Sequence, residues 1–258
     1  IAKYITSDVA LELRENGINY LDVAGNCFIK YEELLIHIVG QKVHKKEKNN
    51  QAKAFQEVGI KIIFNLLSNP ANLQLSYREL AELADVSIGS VSNVMTELEE
   101  QNFILKTKLK RVLKNKPALL ERWVVAYQDV LRPRLVKKQM RFIKPDLTQN
   151  WRNLQLDNDE EITLWGAEPA AALLTNQLVP EEFTIYTTES WQNLGQEIGL
   201  VPDPNGKVEI LQIFWKQSPD NKQTTPPLLI YADLIGSGFS RNIETAQIIL
   251  ENELQHIR

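Results

Sequence analysis

Residues 75–104 read LSYRELAELADVSIGSVSNVMTELEEQNFI and predict two short helices joined by a tight turn. Ser76 is a favourable N-cap, and Glu79 three positions later completes a capping box. Ser87 is a second cap that opens a longer helix, whose apolar residues recur at the spacing of one buried face. Those residues are Val91, Val94, Met95 and Leu98. Two capped helices with a tight turn between them are typical of a helix-turn-helix.

The outward face of the second helix carries small polar residues, so this helix can lie close to the bases of a major groove. They are Ser87, Gly89, Ser90, Ser92, Asn93 and Thr96. Asn93 has the length to reach an adenine edge, and serines bond to phosphates or bases. We therefore expect the helix to contact double-stranded DNA. A purely structural helical hairpin is the alternative that the sequence leaves open.

The segment FILKTKLKRVLKNK (residues 103–116) alternates apolar and basic positions, as the hairpin of a wing would. Lys106, Lys108 and Lys110 are expected on one face of a strand, with Arg111 beside them. These four side chains are candidate phosphate contacts. The competing interpretation is a solvated edge strand, which proteins often protect with lysines.

Charge is distributed unevenly along the chain. Residues 1–41 carry a net charge of −3, residues 42–116 carry +5 and residues 117–258 carry −6, which gives the overall −4. A second basic run, Lys42, Lys45, Lys46, Lys48 and Lys53, precedes the two helices. Three acids at the end of the second helix, Glu97, Glu99 and Glu100, would repel phosphate and count against DNA binding. The pattern indicates a DNA-contacting module attached to parts with another role.

Length and composition predict a multi-domain α/β protein. We expect a small α/β unit at residues 1–48, a winged helix-turn-helix at 49–116 and an α/β domain for protein contact at 117–258. No apolar run is long enough for a membrane span and no signal peptide is evident, so no membrane partner is expected. A single cysteine, Cys27, and three scattered histidines argue against disulfides or a zinc site and fit a reducing cytoplasm. No cofactor is predicted.

The first unit is expected to hold a helix from Ser7 to Asn16 and strands at 18–23, 27–31 and 34–39. Asp22 at a strand end and Lys42 after a later strand suggest a nuclease-like metal site. Gly40, however, occupies the position two before the lysine where such a site needs an acid. Asp22 and Asn26 are therefore predicted to organise a turn through side-chain to backbone hydrogen bonds.

The third part is expected to alternate strands and helices. A helix at 118–131 ends at Arg132-Pro133-Arg134, and a basic cluster of Lys137, Lys138, Arg141 and Lys144 follows. This cluster is either a further set of phosphate contacts or a solvated connector. Strands are predicted at 162–165, 183–186, 208–215 and 228–234, and helices at 168–178, 191–198 and 242–257. The glycine-rich residues 236–238 are expected to form a strand-to-helix turn across which Asp233 pairs with Arg241. The alternative is a small-ligand site at this turn, where backbone N–H groups ahead of a helix suit an anion.

This third part is also similar to a nucleotidyltransferase core, which makes a metal-dependent nucleic-acid enzyme the alternative function. Such enzymes hold metal between two acids spaced one residue apart on a strand. Here the strand carries Phe183-Thr184-Ile185, and the neighbouring Glu181 and Glu182 would point to opposite faces. We therefore expect a degenerate, non-catalytic relative, and metal dependence separates the two hypotheses.

Five segments in one order resemble the AbiEi-type antitoxin and transcriptional regulator family of type IV toxin–antitoxin systems. They are YLDVAGN (20–26), the helix-turn-helix, YQDVLRPRL (127–135), LWGAEPAAALLT (164–175) and PLLIYADLIGSGFSRNIETAQII (227–249). The resemblance implies a prokaryotic protein that binds operator repeats in the promoter of its own operon and represses it. It also implies that the protein opposes a nucleotidyltransferase-type toxin encoded beside it, with the toxin or its target as the candidate partner; whether this action needs direct contact is left open.

Overall fold

The computed structural model describes residues 2, 5–41, 53–154, 156, 161–216 and 223–258. The chain forms two compact units, Ile1–Gln51 and Ala52–Arg258, and its class is mixed α/β. Every helix in the described ranges is too short or too polar to cross a lipid bilayer.

The first unit packs one helix on a small antiparallel sheet. Its elements in chain order are α1 (Ser7–Glu15), β1 (Tyr20–Leu21), β2 (Cys27–Tyr31) and β3 (Leu34–Ile38), with the strands in that order in the sheet. The buried Asp22 accepts hydrogen bonds from the backbone N–H of Asn26 (2.9 Å), from the Asn26 side chain (2.9 Å) and from the backbone of Ile5 (3.1 Å). The predicted turn is confirmed. Lys42 lies outside the described residues.

The second unit begins with three helices and a two-stranded hairpin. These are α2 (Glu57–Ser68), α3 (Tyr77–Ala84), α4 (Ile88–Glu100), β4 (Ile104–Lys106) and β5 (Arg111–Leu113). Helix α2 is buried along most of its length because its apolar residues lie on nearly every side. It therefore forms the centre on which α3 and α4 pack.

The remainder of the unit is a five-stranded mixed sheet with helices. Its elements are α5 (Lys116–Ala126), a π-helical turn (Tyr127–Leu131), α6 (Arg132–Leu135), β6 (Val136–Phe142), α7 (Pro145–Gln149), β7 (Thr163–Gly166), α8 (Ala167–Thr175), β8 (Phe183–Thr187), α9 (Trp191–Ile198), β9 (Leu200–Pro202), β10 (Val208–Gln212), α10 (Pro227–Ser237) and α11 (Ser240–Asn252). The strand order is β7-β8-β10-β6-β9, in which β8 and β10 are parallel and the other pairs are antiparallel.

Two whole elements of this part differ from the sequence predictions. Residues 228–234, predicted as a strand, belong to α10, which starts with Pro227 in its first turn and ends at the left-handed Gly238. A short apolar run does not distinguish a buried strand from a buried helix. The basic stretch with Lys137, Lys138 and Arg141, predicted as a connector, is β6, a strand inside the sheet.

One hydrophobic core joins the first helices of the second unit to the sheet. Trp123 on α5 is fully buried, donates a hydrogen bond to the Ile60 carbonyl of α2 (2.9 Å) and stacks on Tyr127 at 5.2 Å between ring centroids. The same cluster includes Tyr186 of β8 and Leu229 of α10. Helices α2–α4 therefore rest on the sheet-bearing part through continuous apolar packing.

A buried polar network lies at the edge of this core. The Asp233 side chain, 1% exposed, accepts from the Arg132 Nε (2.9 Å), the Tyr186 hydroxyl (2.9 Å) and the Tyr127 hydroxyl (3.1 Å). Arg132 also donates to Glu209 at 2.6 Å. Because a buried carboxylate is costly unless it is paired and hydrogen-bonded, each of these donors offsets part of its desolvation.

Removing one donor from this network should destabilise the second unit. We expect Tyr186→Phe to lower the free energy of unfolding by about 1–3 kcal/mol, since Asp233 then keeps a buried oxygen without its donor. Tyr77→Phe is the matched control, because that hydroxyl makes no hydrogen bond to a described residue. Urea unfolding of both variants measures the difference, and equal stabilities would contradict the role given to the network.

Alkaline pH should destabilise the second unit through the same tyrosines. Burial, together with the nearby Asp233 carboxylate, raises the pKa of Tyr127 and of Tyr186 well above the ordinary phenol value. Their contribution to stability is therefore complete below about pH 10 and declines as pH rises toward the folded-state pKa. Above about pH 10 the stability of Tyr186→Phe should fall less steeply than that of the parent, by about 1.4 kcal/mol per pH unit. Parallel declines in urea unfolding would show that Tyr186 ionises normally.

Candidate nucleic-acid interface

Side-chain caps fix the two helices that carry the candidate interface. Ser76 Oγ accepts from the Glu79 backbone N–H (3.2 Å), and Glu79 accepts from the Ser76 backbone N–H (2.7 Å), so the predicted capping box is present. Asp85 ends α3 in the left-handed conformation, with φ of 54°. Ser87 Oγ then accepts from the Ser90 backbone N–H (3.1 Å) and starts α4. The turn between the helices is thus set locally by sequence.

Helix α4 has one buried and one exposed face, as its spacing predicts. Val91, Val94, Met95 and Leu98 are each at most 2% exposed. Of the predicted contact residues, Ser87, Gly89, Ser92, Asn93 and Thr96 are exposed, and Ser90 is half-buried. Thr96 Oγ1 donates to the Ser92 carbonyl (2.9 Å), whereas the Asn93 side chain makes no hydrogen bond to a described residue. Asn93 therefore has free donors and an acceptor on an open surface.

The basic segment forms a hairpin, but its lysines are arranged differently from the prediction. β4 and β5 are antiparallel, with Lys106 opposite Arg111. Lys106 is the last strand residue, and Lys108 and Lys110 lie in the connecting turn, where Thr107 Oγ1 accepts from the Lys110 backbone N–H (3.0 Å). The expectation of three lysines on one strand face is wrong, because the strand is too short to hold them. All three are exposed at the tip.

Two other hairpin residues, Arg111 and Leu109, are not placed as the alternating pattern predicts. Arg111 is half-buried: its Nη2 donates to the Leu75 carbonyl (2.8 Å), and its guanidinium lies 5.3 Å from the Tyr77 ring centroid. It therefore anchors the hairpin to the start of α3. Leu109, which the alternation places on an apolar face, is 97% exposed between Lys108 and Lys110. Leu109 is exposed because it lies in the turn between the strands. The alternating sequence pattern does not show where the strands end and the turn begins.

The acids of α4 lie toward the end of the helix away from Ser87. Glu97 is engaged internally, where it accepts from the Ala54 backbone N–H (3.0 Å) and from the Gln101 side chain (2.8 Å). These hydrogen bonds hold the Glu97 carboxylate against its own domain, and both donors are neutral, so its negative charge remains. Of the preceding basic run, Lys53 is exposed. Lys42, Lys45, Lys46 and Lys48 lie outside the described residues.

The carboxylate of Glu168, at the start of α8, is held by other protein groups. Glu168 Oε1 and Oε2 each accept from Arg241 at 2.9 Å, and Glu168 Oε2 also accepts from the Glu181 backbone N–H at 2.7 Å. Arg241 thus pairs with Glu168 and not with Asp233, whose partner is Arg132; the predicted Asp233–Arg241 pair is wrong because α10 turns Asp233 toward α6. The described residues contain no cluster of three or more acids, histidines or cysteines suited to a metal ion.

A comparison with protein families covers the second half of the chain. Residues 111–255, from β5 to just past α11, match the family described as transcriptional regulator, AbiEi antitoxin, type IV TA system. Searches of curated proteins and of solved structures return no match. The matched region is more than half of the 258 residues and includes three of the five segments that suggested this family. The chain therefore belongs to the AbiEi family of antitoxins and transcriptional regulators of type IV toxin–antitoxin systems.

Proposed function

We propose that this protein is an autorepressing antitoxin whose residues 49–116 form a winged helix-turn-helix that binds double-stranded operator DNA. The family match begins at residue 111, after α2–α4, so family membership does not itself describe these helices. The observation that carries the proposal is the exposed, small and polar face of α4 beside a hairpin tip with three exposed lysines.

The shape of α4 supports insertion into a major groove. Gly89, Ser92, Asn93 and Thr96 follow one another at the i, i+3, i+4 and i+7 positions of a single exposed face. Small residues at these positions allow close approach of the helix to the base edges. Asn93 offers the donor and acceptor pair that matches adenine in the major groove. We therefore assign the contacts with base edges to α4.

The hairpin tip supports a contact with the DNA backbone. Lys106, Lys108 and Lys110 are exposed, and Arg111 holds the hairpin against the start of α3. Flexible ammonium groups on a fixed hairpin suit phosphate contacts, which position a protein without reading sequence. The exposed Leu109 adds an apolar contact to a sugar or groove wall.

We assign residues 117–258 to contact with a protein partner, a nucleotidyltransferase-type toxin or its target, and residues 1–48 to a separate small unit. The family description supports an antitoxin role for the matched region. A non-catalytic role fits Glu168, whose two carboxylate oxygens accept from Arg241. We place the regulator in the cytoplasm, with the DNA it binds.

Sequence preference should depend on α4. We expect Asn93→Ala, or Ser90→Ala, to cost about 1–3 kcal/mol of discrimination between the DNA upstream of its own gene and a scrambled duplex. Asn252→Ala is the control, since Asn252 is an exposed asparagine at the end of another helix, α11. Fluorescence anisotropy with both duplexes measures the effect. Equal losses on the two duplexes, or no loss on either, would refute base reading by α4.

Salt dependence should depend on the hairpin tip. Replacing Lys106, Lys108 and Lys110 by Gln should weaken binding to upstream and scrambled DNA alike. It should also flatten the slope of log affinity against log salt by roughly two to three units, at about 0.9 per lost phosphate contact.

Two controls separate local contacts from total charge. Gln at the exposed Lys30, Lys207 and Arg258 changes the net charge equally and should leave the slope nearly intact. Asn93→Ala should also leave it unchanged, because Asn93 is neutral. If the hairpin triple variant retained the parental slope, its lysines would be a solvated surface and the phosphate contacts would lie elsewhere.

A further inference from the structure

A polar cavity of about 270 Å³ lies within the second unit, away from the α4 face. Its walls come from the π-helical turn, α6, α8, α10, α11 and three strands of the sheet, β6, β8 and β10. Ala167, which lines it, has a φ of 41°, a left-handed conformation that alanine rarely adopts. Backbone strain of this kind tends to occur at functional sites, where surrounding packing maintains it. The cavity takes no part in the DNA contacts proposed above.

Asn242 supplies the observation that points to a ligand. This residue lines the cavity and is 1% exposed. Its Nδ2 donates to Glu168 Oε1 (2.9 Å) and to Ser237 Oγ (3.0 Å). Because the Ser237 hydroxyl already donates to the Leu234 carbonyl (2.7 Å), Ser237 must accept from Asn242, which fixes the amide orientation.

The other atom of the amide is left without a partner. Asn242 Oδ1 is buried and receives no hydrogen bond from any described residue. A buried acceptor without a donor carries an appreciable desolvation cost, so few such atoms remain unsatisfied in native proteins. A bound molecule with N–H or O–H donors would satisfy it.

The charged residues that line the cavity indicate whether the bound molecule is a cation or an anion. Four carboxylates line it, Glu168, Glu182, Glu209 and Asp233, against two cations, Arg132 and Lys207. Arg132 is shared by Asp233 and Glu209, so one guanidinium serves two carboxylates. Arg241, behind the wall, offsets the charge of Glu168. The lining still has an excess of negative charge, which favours a cation that can donate hydrogen bonds.

We propose that this cavity binds a small organic cation bearing a primary ammonium or guanidinium group. Such a group donates several hydrogen bonds and carries one positive charge, so it satisfies both Asn242 Oδ1 and the excess of carboxylates. The volume lies just below the usual range for small-molecule pockets, which fits a compact amine. The described residues offer no cluster for a metal ion, which leaves an organic cation as the matching chemistry.

The first experiment tests binding and its place. Agmatine and putrescine are titrated into the full chain by calorimetry, with succinate and inorganic phosphate as anionic comparisons. We expect at least one amine and neither anion to bind. In ¹H–¹⁵N spectra the bound amine should shift the Asn242 side-chain amide and the backbone amide of Gly236, which lines the cavity, and leave that of Gly89 on α4 unmoved. No heat from either amine, or heat without a shift at Asn242, would overturn the proposal.

Variants at the rim test the charge of the ligand without disturbing the buried residues. Glu182 and Lys207 are both exposed and both line the cavity. Glu182→Gln should weaken amine binding about two- to fivefold, and Lys207→Gln should strengthen it by a similar factor. Glu253→Gln, an exposed carboxylate outside the lining, should change nothing. The opposite pair of changes would mean that the cavity selects anions, and unchanged affinity in both variants would place the amine elsewhere.

Discussion

The second unit depends on the burial of Trp123 and Tyr127, two aromatic rings one turn apart that stack at 5.2 Å. Trp123 bonds to the backbone of α2, and the Tyr127 hydroxyl lies 2.5 Å from that of Tyr186 on β8 and 3.1 Å from Asp233. Large buried aromatic side chains contribute strongly to core stability. The same pair of rings therefore packs α2 of the proposed DNA-binding domain against the family-matched sheet.

Local signals in the sequence predict the helices of the candidate interface well. The Ser76–Glu79 capping box, the Ser87 cap and the apolar spacing of α4 all act within a few residues, so neighbouring residues alone determine their outcome. The hairpin is also predicted, but its register is not, because the turn at Thr107 decides which lysines belong to a strand. The predicted face of three lysines is instead a tip.

Long-range packing determines what the sequence leaves open. The buried ion pair joins Arg132 to Asp233 across 101 positions, and no local pattern connects them. The run around Leu228 is apolar on all sides because α10 is enclosed by α5, α8 and α11, so its helical period is hidden. Likewise, the lysines of β6 are typical of a solvated connector, although the strand joins β10 to β9 in the sheet. For an element that is packed between other elements, neither the helical spacing of apolar residues nor the charge of its residues alone identifies its secondary structure.

Hydrogen–deuterium exchange of the full chain, with and without the DNA immediately upstream of its own gene, tests the central claim most directly. We predict slower exchange on binding in α4 (Ile88–Glu100) and in the hairpin turn at residues 106–111. Helix α8 (Ala167–Thr175), in the family-matched region, should exchange at its unbound rate. Slower exchange confined to α8 and its neighbours, with α4 unchanged, would contradict the assignment of DNA binding to these helices.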